Sequence, residues 1–360
     1  MSATPPFSSS QSASSSDNRP DDTPSPEAAP PLAEGMIIEG SRGLYRVETS
    51  AGPLLCTIRG RLRKQLEYPL SAGAHKRVQK AVVKTHDPVA VGDRVRVLPT
   101  GGGKGVIEEV IARAGGAFAR DDPDDGKGQI RSVAGLDQMI AVFAARNPAP
   151  HLRMLDRFLI LAEQQQMAAV ICLNKVDLGI EPWLTERLDA YRAAGYAVVL
   201  TSVAAGKSIE ELRRLLAGRT SAFLGPSGVG KSSLLNALQP ELGRRVSEVS
   251  DATGKGRHTT TGTRFYPLDG PAGGYIADTA GIRALALGSA AADRLDLCFP
   301  EFRPYLGGCR LSDCSHLHEP DCAVRAAVDA RAIDRERYES YCRLAGGESD
   351  AALEDWEEDL

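Results

Sequence analysis

Nine residues constrain this chain more than any others: Gly225, Pro226, Ser227, Gly228, Val229, Gly230, Lys231, Ser232 and Ser233. Their spacing from Gly225 to Ser232, G-x-x-x-x-G-K-[ST], is that of a loop that wraps a phosphate. Ser221 to Leu224, just before it, is a short apolar run suited to a buried strand. Ser232 to Leu238, just after it, reads as a helix. The glycines let backbone N–H groups and a helix N-terminus converge on an anion. Lys231 then neutralises the β- and γ-phosphates, and the Ser232 hydroxyl ligates Mg²⁺. The loop says phosphate without saying which base.

The base is read upstream. Ala168 to Leu173 is a continuous apolar run, as in a strand that a parallel sheet buries on both faces. It ends in Asn174, Lys175, Val176 and Asp177. A carboxylate there accepts hydrogen bonds from both N1–H and the exocyclic amine of guanine, a pair adenine does not offer. Asn174 supports the loop and the Lys175 stem lies along the base. The next apolar run, Tyr196 to Leu200, ends in Thr201 and Ser202, where a second base-contacting loop is expected, with Ser202 offering its backbone N–H to the guanine carbonyl.

The metal and the γ-phosphate are read downstream. Gly254 to Thr263 is a polar loop of the switch type, in which Thr259 and Thr260 are both open as ligand to Mg²⁺ and sensor of the γ-phosphate; Thr260 is favoured. Gly274 to Asp278 reads as a strand. Asp278 holds Mg²⁺ through water, and Gly281 presents its N–H to the γ-phosphate. Ile282 follows Gly281 where related enzymes carry a water-positioning Gln. Polar assistance therefore falls to His258, with Lys231 and Thr260 completing the catalytic set.

Before these motifs, residues 1–35 are rich in Ser, Pro and Ala and are expected to be disordered. Short alternating runs follow at Gly43 to Glu48, Leu54 to Arg59, Ala81 to Lys84, Gly92 to Leu98 and Gly105 to Ile111. They suggest a five-stranded barrel of the OB-fold type over 36–113. Arg59, Arg61, Arg63, Lys64, Lys76, Arg77, Lys80 and Lys84 stand against the single acid Glu67 in that stretch, an expected RNA-backbone surface. Charge is compatible with this: the two tails, 1–35 and 346–360, carry −11, so 36–345 carries +7 within an overall −4. Residues 114–130 read as a Gly/Asp-rich linker. No apolar run approaches a membrane span, and a cytoplasmic protein is expected. Near the end, Cys309, Cys314 and Cys322 combine with His316 or His318 into a closed tetrahedral shell for one structural Zn²⁺. Cys298 and Cys342 fall outside that pattern.

The order of the motifs is unusual. N-K-V-D and T-S precede the phosphate loop, and D-T-A-G follows it, so the ring of elements is opened at another point: a circular permutation. With these motifs and the cysteine spacing, residues 36–345 resemble the RsgA (YjeQ) family of small-ribosomal-subunit-dependent GTPases. The resemblance implies a multidomain protein: an N-terminal OB-fold β-barrel (36–113), a central circularly permuted α/β P-loop GTPase domain (114–284) and a small C-terminal α-helical zinc-binding domain (285–345), followed by an acidic tail (346–360). It favours His316 as the fourth zinc ligand and supports His258. It implies a GTPase stimulated by the 30S subunit, a late maturation factor binding rRNA near the decoding region, monomeric, with GTP, GDP and the 30S subunit as partners. A permuted GTPase of the large subunit, an ATP-using P-loop enzyme and an RNA-binding module with vestigial hydrolysis are the competing expectations.

Overall fold

The computed structural model describes residues 31–41, 43–62, 89–111, 116–121, 130–240, 242–243, 264–277 and 289–347. Strands β1 (Ala33–Ser41), β2 (Leu44–Thr49), β3 (Gly52–Ile58), β4 (Arg94–Gly101) and β5 (Lys104–Val110) close into a barrel in the order β1-β2-β3-β5-β4. β3 and β5 run parallel, and the other barrel pairings are antiparallel, the Greek-key closure of the expected OB-fold. Alternation turns Tyr45, Val47, Cys56, Val95, Val97 and Ile107 inward, all buried.

The strand count of the barrel meets expectation, but its membership differs. β1 is not among the expected runs; it carries Gly35, Gly40, Glu34 and Glu39, and owes its form to pairing with β2 on one edge and β4 on the other. The expected run Ala81 to Lys84 lies outside the described residues. The stretch read as a linker also contains strands. β6 (Gly116–Asp121) pairs antiparallel with β7 (Ile130–Leu136), tertiary pairing overriding the weak strand propensity of Gly and Asp.

The central domain adds β8 (Gln138–Ala144), α1 (Leu152–Gln164), β9 (Ala168–Asn174), α2 (Pro182–Ala193), β10 (Ala197–Leu200), α3 (Ile209–Leu216), β11 (Thr220–Leu224), α4 (Lys231–Leu238), β12 (Phe265–Pro267) and β13 (Tyr275–Ala277). The sheet order is β10-β9-β8-β11-β13-β12. Every residue of β8 and β11 is buried, because α1 and α2 cover one face through Leu155, Leu159, Leu184 and Leu188 and α3 and α4 cover the other through Leu212, Leu216, Leu234 and Leu238. His151 caps α1, its Nδ1 accepting from the Met154 N–H at 3.1 Å; burial holds this imidazole below its ordinary pKa, keeping that acceptor free of a proton. The chain runs outward from β8 to β10 and returns to β11 on the other side of β8. Such a reversal leaves a crevice at the carboxyl ends of the two strands.

The C-terminal domain is built from 3₁₀ turns at Ser289–Cys298 and Pro300–Tyr305 and from α5 (Ala323–Asp329) and α6 (Arg335–Ala345). The domain expected to be α-helical is thus in part 3₁₀, with a break at Arg294.

Two different kinds of contact attach the outer domains. The barrel shares one apolar core with the central sheet, in which Ile37, Val47 and Val97 join Leu136, Met139 and Phe265. The C-terminal domain is held by a buried charge cluster. Arg337 donates to Asp156 of α1 at 2.5 Å and to Glu301 at 2.7 Å, and these three side chains are at most 8% exposed. Asp156 also accepts from Tyr191 at 2.8 Å and from Ser340 at 2.5 Å. The Arg337 guanidinium lies 4.6 Å from the Phe299 ring centre. Burial alone pushes that guanidinium toward neutrality; attraction to Asp156 and Glu301 outweighs it and holds its pKa well above the ordinary value. Replacing Arg337 with Ala strands two buried carboxylates, so it should cost about 3–5 kcal/mol in denaturant unfolding of the full chain. A loss below about 1 kcal/mol, as for an exposed ion pair, would refute the interlock.

Candidate functional site

The phosphate-loop sequence lies where the topology puts a ligand, on the turn from β11 into α4. Two of its glycines are dictated by close approach. Gly225 has φ +149, and a Cβ there would stand 2.0 Å from the Val142 carbonyl oxygen on β8. Gly230 has φ +96, and its Cβ would stand 2.4 Å from the Asn174 side-chain nitrogen. Lys231 folds back, its Nζ donating to the carbonyls of Gly225 at 2.7 Å and Pro226 at 2.5 Å. Ser227, Gly228, Ser232 and Ser233 are exposed, while Pro226 and Val229 are buried beneath them.

Asn174, at the end of β9, is buried and binds the neighbouring loops together. Its amide donates to the Val229 carbonyl at 2.9 Å and accepts from the Thr201 hydroxyl at 3.2 Å. The Val176 N–H in turn donates to the Thr201 carbonyl at 3.2 Å. Cys172, whose thiol lies 3.4 Å from the same hydroxyl, is pushed up to about 12 by burial and is a packing group rather than a nucleophile. Asp177 is exposed at the mouth of the site. The Ser202 N–H, expected to face a base, instead donates to the Lys207 carbonyl at 3.2 Å. What Ser202 offers is its hydroxyl, which donates to Asp177 at 2.5 Å and accepts from the Ala205 N–H at 3.0 Å.

The structure also brings in a loop that the motifs did not mark. The turn after β8 carries Asn147, whose carbonyl accepts from Lys175 Nζ, and Pro148, whose ring stands 3.7 Å from a Cβ placed on Gly228. Its signal is topological: it follows the strand flanking the crevice.

Of the remaining site candidates, His258, Thr259, Thr260, Asp278 and Gly281 lie outside the described residues, as do Arg63, Lys64, Lys76, Arg77, Lys80 and Lys84. Arg59 and Arg61 are exposed, and both pair with Glu108.

Cys309, Cys314, His316 and Cys322 converge, with one donor atom of each within 4.8 Å of the others. Cys309 Sγ is 3.8 Å from Cys322 Sγ and 3.5 Å from His316 Nδ1, and the latter is 3.4 Å from Cys322 Sγ. A tetrahedron with Zn–S near 2.3 Å and Zn–N near 2.0–2.1 Å has S–S and S–N edges of about 3.8 and 3.5 Å. The donor set and its spacing therefore fit zinc. His316 is buried in this group, whereas His318 is exposed. Glu319 organises the turn, accepting from the N–H groups of Ser315, Leu317 and His318 at 3.0–3.2 Å; with the Ser315 hydroxyl as the largest cause, its carboxyl is held well below the usual range. Tyr338 and Tyr341 donate to the carbonyls of His316 and Ser315 at 2.8 and 2.7 Å.

Residues 117–288 match the RsgA GTPase family. The chain is 44% identical to a small ribosomal subunit biogenesis GTPase RsgA of Gemmatimonas aurantiaca, over 86% of this chain and 95% of that one. It is 40% identical to the protein of the same name from Moorella thermoacetica, over 86% and 94%. Its fold is similar to the crystal structure of YjeQ from Thermotoga maritima, with a TM-score of 0.65, 31% identity, and coverage of 87% of this chain and 97% of that one. It is also similar to YloQ, described as a circularly permuted GTPase, with a TM-score of 0.64, 26% identity, and coverage of 88% and 95%.

Asn174→Ala removes two buried hydrogen bonds that join three loops. Nucleotide affinity measured by calorimetry should fall on the order of thirtyfold, the two missing bonds costing about 1 kcal/mol each. Unchanged affinity would show that the loops hold their places without it.

Proposed function

The chain belongs to the RsgA GTPase family and is a GTP hydrolase of ribosome biogenesis, and we propose that it acts late in maturation of the small subunit. In this reading the 30S subunit stimulates hydrolysis, the chain binds rRNA near the decoding region, and it leaves once GTP has become GDP and phosphate. It works as a cytoplasmic monomer; no helix among the described residues is long and apolar enough to cross a membrane. The Asn174 junction, which gathers the N-K-V-D, T-S and phosphate loops at one crevice, carries the nucleotide part of this reading; its small-subunit part is supported by the 44% identity to a protein named small ribosomal subunit biogenesis GTPase RsgA.

Asp177 reads guanine, with Ser202 fixing the carboxylate. Lys231 exchanges its two carbonyl partners for phosphate oxygens, which places its charge where negative charge builds during transfer. Asn174, Lys175, Val176, Thr201 and the run from Gly225 to Ser233 complete the nucleotide contacts, with Asp278 and Gly281. Ser232, exposed at the first turn of α4, Thr260 and Asp278 would hold Mg²⁺, which neutralises phosphate charge when bound. His258 orients the attacking water, since Ile282 has no polar atom to do so. Cys309, Cys314, His316 and Cys322 would hold one zinc ion as a cross-link, four protein ligands leaving no open position for catalysis.

Phosphate release by the full chain should appear with GTP and not ATP, and should rise on addition of purified 30S subunits. His258→Ala should bind GTP normally and lose most of the stimulated rate. Equal turnover of ATP, or no response to 30S subunits, would overturn the assignment. A chelator should remove one zinc per chain and lower the melting temperature, because the Ser315 and His316 carbonyls then lose the fixed geometry that Tyr338 and Tyr341 bond to. A chain that carries no zinc when purified would overturn the metal assignment.

A further inference from the structure

β5 contains a β-bulge. Arg96 of β4 pairs with Glu109, and the next residue, Val97, pairs with Ile107, so Glu108 is the extra residue between them. A bulge gives up regular ladder bonding and redirects a side chain. Ile107 is fully buried in the barrel, and Glu108 beside it is 8% exposed although it is an acid. Neighbouring Glu109 turns outward to pair with Arg96 at 2.9 Å.

The redirected carboxylate meets two arginines. Glu108 Oε1 faces the guanidinium of Arg59, and Oε2 accepts from Arg61 at 3.1 Å. Both arginines leave β3 on one tight turn, closed by the Leu62 N–H donating to the Arg59 carbonyl at 2.9 Å. The turn is anchored to the bulge itself, since the Arg59 N–H donates to the Ile107 carbonyl at 3.0 Å. The arginine side chains remain 45% and 69% exposed, against 9% for Glu108. One nearly buried carboxylate thus holds two exposed guanidinium groups side by side, with net charge +1 and N–H donors left over. An Arg fork of this kind is matched to phosphate oxygens.

We infer that Glu108 is a positioning residue for RNA: it pre-sets Arg59 and Arg61 as a paired clamp for the phosphodiester backbone. The inference rests on the reading of the barrel's basic face as an rRNA surface. Its chemistry runs opposite to bulk electrostatics. Neutralising Glu108 makes the face more positive, and a surface acting by charge alone would then bind RNA more tightly. A clamp deprived of its carboxylate would bind less tightly, because two long side chains must be ordered at the moment of binding.

The test is binding of the full chain to deproteinised small-subunit rRNA over a range of salt, with Glu108→Gln, Arg59→Ala/Arg61→Ala and the triple variant. Glu108→Gln should weaken binding several-fold at an unchanged melting temperature. The slope of log K against log salt should become shallower by about 0.7–0.9 for each phosphate that the clamp no longer neutralises. In the Arg59→Ala/Arg61→Ala background the same substitution should have no further effect, which a general loss of barrel structure would not produce. Equal or tighter binding by Glu108→Gln overturns the clamp alone. Unaltered binding by Arg59→Ala/Arg61→Ala overturns both the clamp and the reading of these arginines as RNA-binding residues.

Discussion

The side-chain amide of Asn174 is the point on which the nucleotide crevice depends. It is held by β9, donates to the loop that follows β11 and accepts from the loop that follows β10. Those three segments are separated by tens of residues in the chain, yet one planar group with a donor and an acceptor satisfies both neighbours at once. The close fit also explains Gly230, where any side chain would collide with that amide. Because the group is buried, leaving either partner unmet carries the full desolvation cost. The base-reading and phosphate-holding elements are therefore positioned by one another rather than separately.

The outer domains are attached with different weights of apolar and ionic contact. The barrel meets the rest of the chain through a shared apolar core and through backbone bridges of Val91 to Val133 and Glu39 to Arg264, and Gly92 shows how close β7 comes, since a Cβ there would stand 1.9 Å from the Ala134 carbonyl. Its apolar part is strong but non-directional. Between α1 and the C-terminal domain Ile160 enters the apolar cluster of that domain, and the directional part is ionic, with Arg337 enclosed by Asp156, Glu301, Tyr191 and Phe299. A buried ion pair of this sort specifies an orientation more than it adds stability.

Where the sequence is legible, the signal is local or strongly spaced. β9 announces itself as an unbroken apolar run, β11 as a short strand leading into the phosphate loop, and the cysteine pattern points to a cluster that does assemble, with His316 inside it and His318 outside. Where it is not legible, the determinant is distant. β1 has one short apolar run, Met36 to Ile38, between Gly and Glu residues, and extends to nine residues by pairing with two neighbours. β6 hides in a Gly/Asp-rich stretch and shows itself only by pairing with β7. Arg337 and Asp156 stand 181 residues apart, and nothing in either neighbourhood predicts their meeting. The hydroxyl role of Ser202 depends on the bridge its backbone makes to Lys207, and the partnership of Glu108 with Arg59 and Arg61 depends on a bulge. Composition sees charges; it does not see which way a strand has turned them.

The shared core has a consequence for how such a chain can be rebuilt. A domain joined by a tether can be cut away, duplicated or exchanged, because each side keeps its own covered surface. Here Ile37, Val47 and Val97 lie in the same interior as Leu136, Met139 and Phe265. Removing the barrel would leave the central sheet with an oily wound, and grafting another barrel would require its inner wall to match. The boundary expected near residue 113 does not divide this core. For inheritance and for engineering alike, barrel and sheet form a single indivisible module.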